Sequence, residues 1–171
     1  MKILISNQQK KVKLNLSRIK KEIYKILEKL ECHNSELSIL FTSDEHIKEL
    51  NKTYRRKNRP TDVLAFSQKK GGFPDIDPTT ETGSGAMHQG SGIRVQGAEF
   101  SNKQLDVLGD VVISTDTAKR QSVDLGHSVE KEIFILLIHG ILHLLDFDHE
   151  KSKQDALKME SKEKELLGLI T

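Results

Sequence analysis

A run of six apolar residues lies in the last third of the chain, and its sequence is Ile133-Phe134-Ile135-Leu136-Leu137-Ile138. A helix formed here has no polar face to turn toward water, so other elements must cover it on all sides. Ser128 can cap this helix at its start, and Glu130 and Glu132 suit the positive end of its dipole. The chain is therefore predicted to place one buried helix at its centre.

The rest of the sequence supplies short strands and amphipathic helices that can cover the central helix. Apolar and β-branched stretches predict four strands at Lys2–Ser6, Leu37–Phe41, Val63–Phe66 and Val107–Ser114. Apolar spacing and capping residues predict helices that begin at Ser17 as N-cap, at Ser43 or Asp44, at Thr115 or Asp116, and at about Ser152. The last of these is expected to pack a stripe containing Leu157, Leu166 and Leu167. With 171 residues, the chain is predicted to form a single α+β domain, a small mixed four-stranded sheet covered by about five helices.

The apolar run leads directly into three histidines, His139, His143 and His149. Residues four apart share one face of a helix, so the first two imidazoles project side by side. A turn after the helix could return the third ring to the same point. Three imidazoles with one position left for water are typical of catalytic zinc, although imidazoles also suit copper, nickel and iron. The sequence therefore predicts one zinc ion per chain at these residues.

The other histidines and the cysteine do not extend this constellation. His33, His46 and His127 stand apart from the cluster and are predicted to be surface or capping residues. Cys32 is the single cysteine, which excludes a disulfide framework and a thiolate-rich zinc site.

The histidine spacing is similar to the metzincin protease motif, but one residue differs. Those proteases have a glutamate after the first histidine as general base, and this chain has Gly140 there. The difference argues against peptide hydrolysis by that mechanism. Gly140 is expected to leave room either for a substrate or for close backbone packing.

A basic segment lies between Lys52 and Arg59. Its five cations are Lys52, Arg55, Arg56, Lys57 and Arg59, with no acidic residue among them. Such a local field suits an anionic backbone, although a net charge of +2 says little about partners. The chain has no tryptophan and few aromatic residues, so a base-stacking platform is poorly supplied.

Residues 68–104 differ in character from the rest of the chain. Seven of the eleven glycines fall between positions 71 and 97, and apolar periodicity is absent there. The segment, which contains His88, is predicted to be a flexible surface insertion. No apolar run approaches the roughly 18 residues of a membrane span, and the N-terminus does not resemble a signal peptide, so a cytoplasmic protein without membrane contact is expected.

Four segments in order resemble the YbeY family of bacterial metal-dependent endoribonucleases. They are Glu49-Leu50-Asn51-Lys52-Thr53-Tyr54-Arg55, Arg59-Pro60-Thr61-Asp62-Val63-Leu64-Ala65-Phe66, Leu108-Gly109-Asp110-Val111-Val112-Ile113-Ser114, and His139-Gly140-Ile141-Leu142-His143-Leu144-Leu145-Asp146-Phe147-Asp148-His149. The resemblance covers the chain from about Ile3 to its end, apart from the insertion. It implies a zincin-like metal site in a protein that matures the 3′ end of small-subunit ribosomal RNA and serves ribosome quality control.

The resemblance also assigns roles to residues. The three histidines would bind zinc, and Arg55 would be the arginine needed for cleavage of single-stranded RNA. A guanidinium can neutralise charge that develops on a phosphate, and Arg56, Lys57 and Arg59 would hold the RNA backbone. The implied partners are ribosomal RNA precursors and the ribosome or its proteins, with no DNA. Attack by water and attack by the RNA 2′-hydroxyl both remain open.

Several positions depart from the family pattern or leave alternatives open. Asp146 stands where the family usually has glycine, Phe147 replaces a common tyrosine, and the insertion is longer than usual. Asp146 is expected to adopt the left-handed turn that glycine suits, and Asp148 is expected to orient a histidine or cap the turn. The alternatives are a zinc peptidase-like hydrolase and a ribosome-associated RNA-binding factor. In the second, zinc would be structural, with a fourth ligand from Asp146, Asp148 or Glu150.

Overall fold

The structure, a computed structural model, describes residues 1–68, 105–147 and 152–170. Within these ranges lie four strands and five helices: β1 Lys2–Asn7, α1 Leu16–Lys29, β2 Ser35–Thr42, α2 Asp44–Arg55, β3 Val63–Ser67, β4 Asp106–Ser114, α3 Thr115–Asp124, α4 Val129–Leu144 and α5 Lys153–Leu167. The predicted α+β class is confirmed. The predicted insertion lies outside the described residues from position 69 onward, and so does His88.

The strands form one mixed sheet in the order β1-β2-β4-β3. β1, β2 and β4 run parallel, whereas β3 lies at one edge and pairs antiparallel with β4. Because side chains alternate along a strand, Val111 and Val112 point to opposite faces of the sheet. Val111 belongs to the main core with α1 and α4, and Val112 packs with Ile47 of α2. The sheet therefore separates α2 from α4.

α4 is the central helix that the apolar run predicts. Ten of its 16 residues are buried, including five of the six in the run, and it packs against β3, β4, α3 and α5. Complete burial of one leucine or isoleucine side chain contributes about 1.5–3 kcal/mol, so this helix is a main source of core stability. Its N-cap is Ser128, whose side chain accepts from the backbone N–H of Lys131.

Gly140 lies where α4 crosses the sheet. A Cβ at this position would lie 2.8 Å from Val111 Cγ1 and 3.3 Å from Val63 Cγ2. Of the two explanations that the sequence leaves open, close packing is the one that the structure supports. A side chain at this position would require the Val111 side chain or the helix to shift.

Most predicted helix starts agree with the structure, and two details of the helices do not. Ser43 and Ser152 cap α2 and α5 as expected. The prediction for Ser17 is wrong, because Asn15 caps α1 by accepting from the backbone N–H of Arg18. Leu157 is 65% exposed rather than packed, since α5 turns Met159 and Leu166 toward the core instead.

Asp44 joins the N-terminal ends of α2 and α3. Its carboxylate accepts hydrogen bonds from the hydroxyls of Ser114 and Thr117 and pairs with Arg120 at 2.7 Å. Burial favours the neutral form of Asp44, but these hydrogen bonds outweigh it and hold the pKa of the carboxyl below its usual value. The network fixes the start of α2, the helix whose other end carries the basic segment. No helix within the described ranges is both long and apolar enough to cross a bilayer.

Candidate functional site

His139 and His143 project from one face of α4 near its C-terminal end. Their Nε2 atoms are 3.0 Å apart, and the ring planes are inclined at 79°. Two imidazoles bound to one tetrahedral zinc, at Zn–N distances of about 2.0–2.1 Å, hold their nitrogens ~3.3 Å apart. The observed pair therefore fits a shared zinc ion with little rearrangement.

The third predicted ligand, His149, lies outside the described residues, as does Asp148. Among the residues that the structure does describe, no cluster of three or more metal-ligating side chains is found. The chain toward His149 nevertheless begins with the predicted turn. Asp146 has φ +67°, and the backbone N–H groups of Asp146 and Phe147 donate to the carbonyls of His143 and Leu142. Asp adopts this left-handed conformation more readily than most residues, because its short side chain can form local hydrogen bonds.

Glu163 of α5 completes the described part of the histidine site. Its Oε1 lies 2.7 Å from Nδ1 of His139, and both side chains are about 30% exposed. A carboxylate can only accept here, so Nδ1–H donates and the Nε2 lone pair of His139 is left facing His143. Glu163 was not predicted from the sequence. The available signal was its spacing from Met159 and Leu166, which places it on the inward side of α5.

The basic segment forms the C-terminal end of α2 and the loop that follows. All five cations are exposed, and Arg56 caps the helix with φ +57°. Among the described residues, no carboxylate lies within ion-pair distance of Arg55, Arg56, Lys57 or Arg59. Their charges are therefore available to an anionic ligand.

Asn51 holds this loop in place and was assigned no role from the sequence. It is 3% exposed, and its Nδ2 donates to the backbone carbonyl of Arg59 at 2.7 Å. The backbone carbonyl of Asn51 accepts a hydrogen bond from the backbone N–H of Lys57. Because an unpaired buried amide is costly, the side chain of Asn51 fixes the course of the loop while the cations stay exposed.

Helix α2, which carries the start of the basic segment, and helix α4, which carries the histidine pair, pack on opposite faces of the sheet, and both reach the edge strand β3. The ring of Tyr54 in α2 contacts that of Phe66 in β3 at 5.1 Å, and Ser67 Oγ donates to the carbonyl of Leu144 in α4. No hydrogen bond or ion pair within the described ranges joins Arg55 to either histidine. The structure therefore brings His139 and His143 together and joins neither of them to Arg55 by a hydrogen bond or ion pair within the described residues.

Of the three other histidines that the structure describes, His46 and His127 have side-chain partners. His33 is exposed, whereas Nδ1 of His46 lies 2.8 Å from the hydroxyl of Thr42. His127 is not a simple surface residue, because its Nε2 lies 3.1 Å from Oε2 of Glu132, an α4 residue that is 3% exposed. Burial raises the pKa of Glu132, and the nearby His127 opposes that rise.

Comparisons with known proteins agree on one family. The family model for Endoribonuclease YbeY matches residues 4–171. A protein of Syntrophus aciditrophicus named Endoribonuclease YbeY is 37% identical over 171 residues, which cover 99% of this chain and 90% of that protein. Another of that name from Aquifex aeolicus is 39% identical over 162 residues, which cover 95% of this chain and 88% of that protein.

A solved structure gives the same picture at the level of the fold. The solution structure of TM1509 from Thermotoga maritima is similar to this chain with a TM-score of 0.60 and 25% sequence identity. The similarity covers 98% of this chain and 88% of that one.

Proposed function

Because the chain belongs to the Endoribonuclease YbeY family and is an endoribonuclease, we propose that it uses zinc to cleave single-stranded RNA in ribosomal RNA processing. The observation that carries the zinc dependence is the 3.0 Å separation of the two histidine Nε2 atoms at the end of α4. The finer role is maturation of the small-subunit RNA 3′ end and ribosome quality control, in the cytoplasm and in contact with the ribosome.

His139 and His143 are the described residues that would hold the metal, and His149 is the proposed third ligand. A bound zinc ion supplies Lewis-acid chemistry toward a phosphate oxygen and toward water. The two described imidazoles share one face of the buried helix α4, which fixes the separation of their backbone positions before any ligand arrives. Such preorganisation would lower the entropic cost of aligning the metal with the bond that is cleaved.

Arg55 and its neighbours are proposed to bind the RNA. The guanidinium of Arg55 would donate two hydrogen bonds to the scissile phosphate and neutralise the charge that develops there. Arg56, Lys57 and Arg59 would bind the flanking phosphates, which predicts affinity that falls as salt rises and depends little on sequence. Since α2 and α4 pack on opposite faces of the sheet and both reach β3, the proposed path of the RNA strand runs over this sheet edge.

Two other functions are disfavoured by specific observations. This chain has Gly140, packed against Val111, where the metzincin proteases have their general-base glutamate, which counts against a peptidase. A binding factor with structural zinc needs a fourth protein ligand. X-ray absorption at the zinc edge tests this, because three nitrogens with one water oxygen support catalysis and a protein carboxylate in the fourth position supports the binding factor.

The proposal is tested by incubating the purified protein with end-labelled RNAs that contain single-stranded and duplex regions. Cleavage confined to single-stranded regions, lost on chelation and restored by zinc, is expected. Cleavage that survives complete metal removal would contradict the zinc dependence. Analysis of the product ends separates the two open mechanisms, since a 2′,3′-cyclic phosphate requires attack by the 2′-hydroxyl and direct attack by water leaves none.

A further inference from the structure

We infer that Glu163 is a positioning residue of the metal site, which orients His139 for zinc and makes α5 part of that site. This inference rests on the proposed zinc function and extends it to a residue 24 positions away along the chain. The observation that supports it is the contact between Glu163 Oε1 and His139 Nδ1 at 2.7 Å, a length typical of a charge-assisted hydrogen bond.

The contact determines which nitrogen of His139 carries the proton. A carboxylate at Nδ1 holds the proton on that nitrogen, so Nε2 is unprotonated and directed to His143 Nε2, 3.0 Å away. Without Glu163, the imidazole can take the other tautomer or rotate about its χ angles, and both changes remove the lone pair from the metal position. Partners of this kind commonly raise metal affinity by about 10–100-fold.

The position of Glu163 also depends on how α5 is docked. Met159 and Leu166, one turn to either side, are buried in the main core with α4. These two contacts hold the backbone of α5, and Glu163 lies between them on the side that faces α4. Docking of α5 and binding of zinc are therefore coupled, because the docked helix presents the carboxylate that orients the ligand.

A matched control is available on the same helix. Glu160 is one turn away, its side chain is 57% exposed, and it pairs with Lys164 rather than with a histidine. Glu160→Gln removes one negative charge from α5 without touching His139. Glu163→Gln removes the charge but keeps an oxygen that can accept from Nδ1–H, and Glu163→Ala removes the acceptor altogether.

The experiment measures zinc affinity by competition with a chromogenic chelator, in the absence of RNA, for the full-length protein and the three variants. We expect a fall of about tenfold for Glu163→Gln, a larger fall for Glu163→Ala, and no change for Glu160→Gln. Unchanged affinity in Glu163→Ala would overturn the inference. Because no nuclease step is measured, this failure is distinct from a failure to cleave RNA.

A second measurement separates positioning from a general structural role. Imidazole nitrogen NMR of the metal-free protein should find His139 as the Nδ1–H tautomer in the wild type and a mixture in Glu163→Ala. Thermal unfolding of the metal-free variants should stay close to that of the wild type. An affinity loss that comes with an equal loss of metal-free stability and an unchanged tautomer would show that Glu163 only helps α5 to pack, and would refute the positioning role.

Discussion

Substitution of Gly140 by alanine tests how closely α4 packs against Val111 of the sheet. In an exposed helix, Gly→Ala stabilises by about 1 kcal/mol, because alanine loses less backbone entropy. At position 140 the added Cβ would lie 2.8 Å from Val111 Cγ1, whereas unstrained carbon atoms approach to about 3.5–4.0 Å. Relief of such a contact in a packed core typically costs about 1–3 kcal/mol. The two effects together predict a net destabilisation of about 1 kcal/mol.

The assay is urea unfolding of the metal-free protein, followed by circular dichroism, for Gly140→Ala alone and in a Val111→Ala background. Removal of the valine methyl groups opens space for the new Cβ. Gly140→Ala is therefore expected to destabilise the wild type but to be neutral or stabilising in the Val111→Ala protein, with a coupling energy of about 1–2 kcal/mol. A stability gain in the wild-type background, or the same change in both backgrounds, would refute the packing explanation.

Three further substitutions follow from the site. Arg55→Ala should lower RNA cleavage by about 10²–10³-fold, while the zinc content from metal analysis stays at the wild-type level. Full activity of the variant would show that Arg55 takes no part in the mechanism. Asn51→Ala should cost about 0.5–1.5 kcal/mol in denaturant unfolding, because the hydrogen bond to the carbonyl of Arg59 is lost, and unchanged stability would contradict that role. Asp44→Asn should flatten the acid side of the plot of unfolding free energy against pH. The lowered pKa of Asp44 gives stability that is present above the ordinary carboxyl pKa of about 4 and is lost as pH falls. An equally steep loss of stability in acid for the variant would contradict the network.

Local signals predicted the central helix well, and they failed where two signals competed. For α4, the apolar run and Ser128 agree, so its burial and its first residue were both predictable. Asn15 and Ser17 are both good capping residues and lie two positions apart, and the structure has Asn15 as the N-cap of α1. In α5, the charged sequence offers more than one apolar stripe, and contact with α4 decides that Met159 rather than Leu157 is buried.

Sequence spacing predicted that His139 and His143 lie side by side, whereas the contact between Glu163 and His139 could not be read from local spacing alone. The four-residue spacing of His139 and His143 is a local property of a helix, and it places their rings together. Glu163 meets His139 only because two helices pack, and no local pattern reports that contact. The close packing at Gly140 could not be predicted locally either, because it depends on Val111, a valine on a strand distant in the chain.

The most direct test of the account is zinc content and RNA cleavage measured together on untagged protein, for the wild type and His143→Ala. The account predicts about one zinc per chain and cleavage of single-stranded RNA in the wild type, with both lost in the variant. Cleavage by His143→Ala at the wild-type rate would contradict it, because the imidazole pair at the end of α4 would then not be the centre of the reaction.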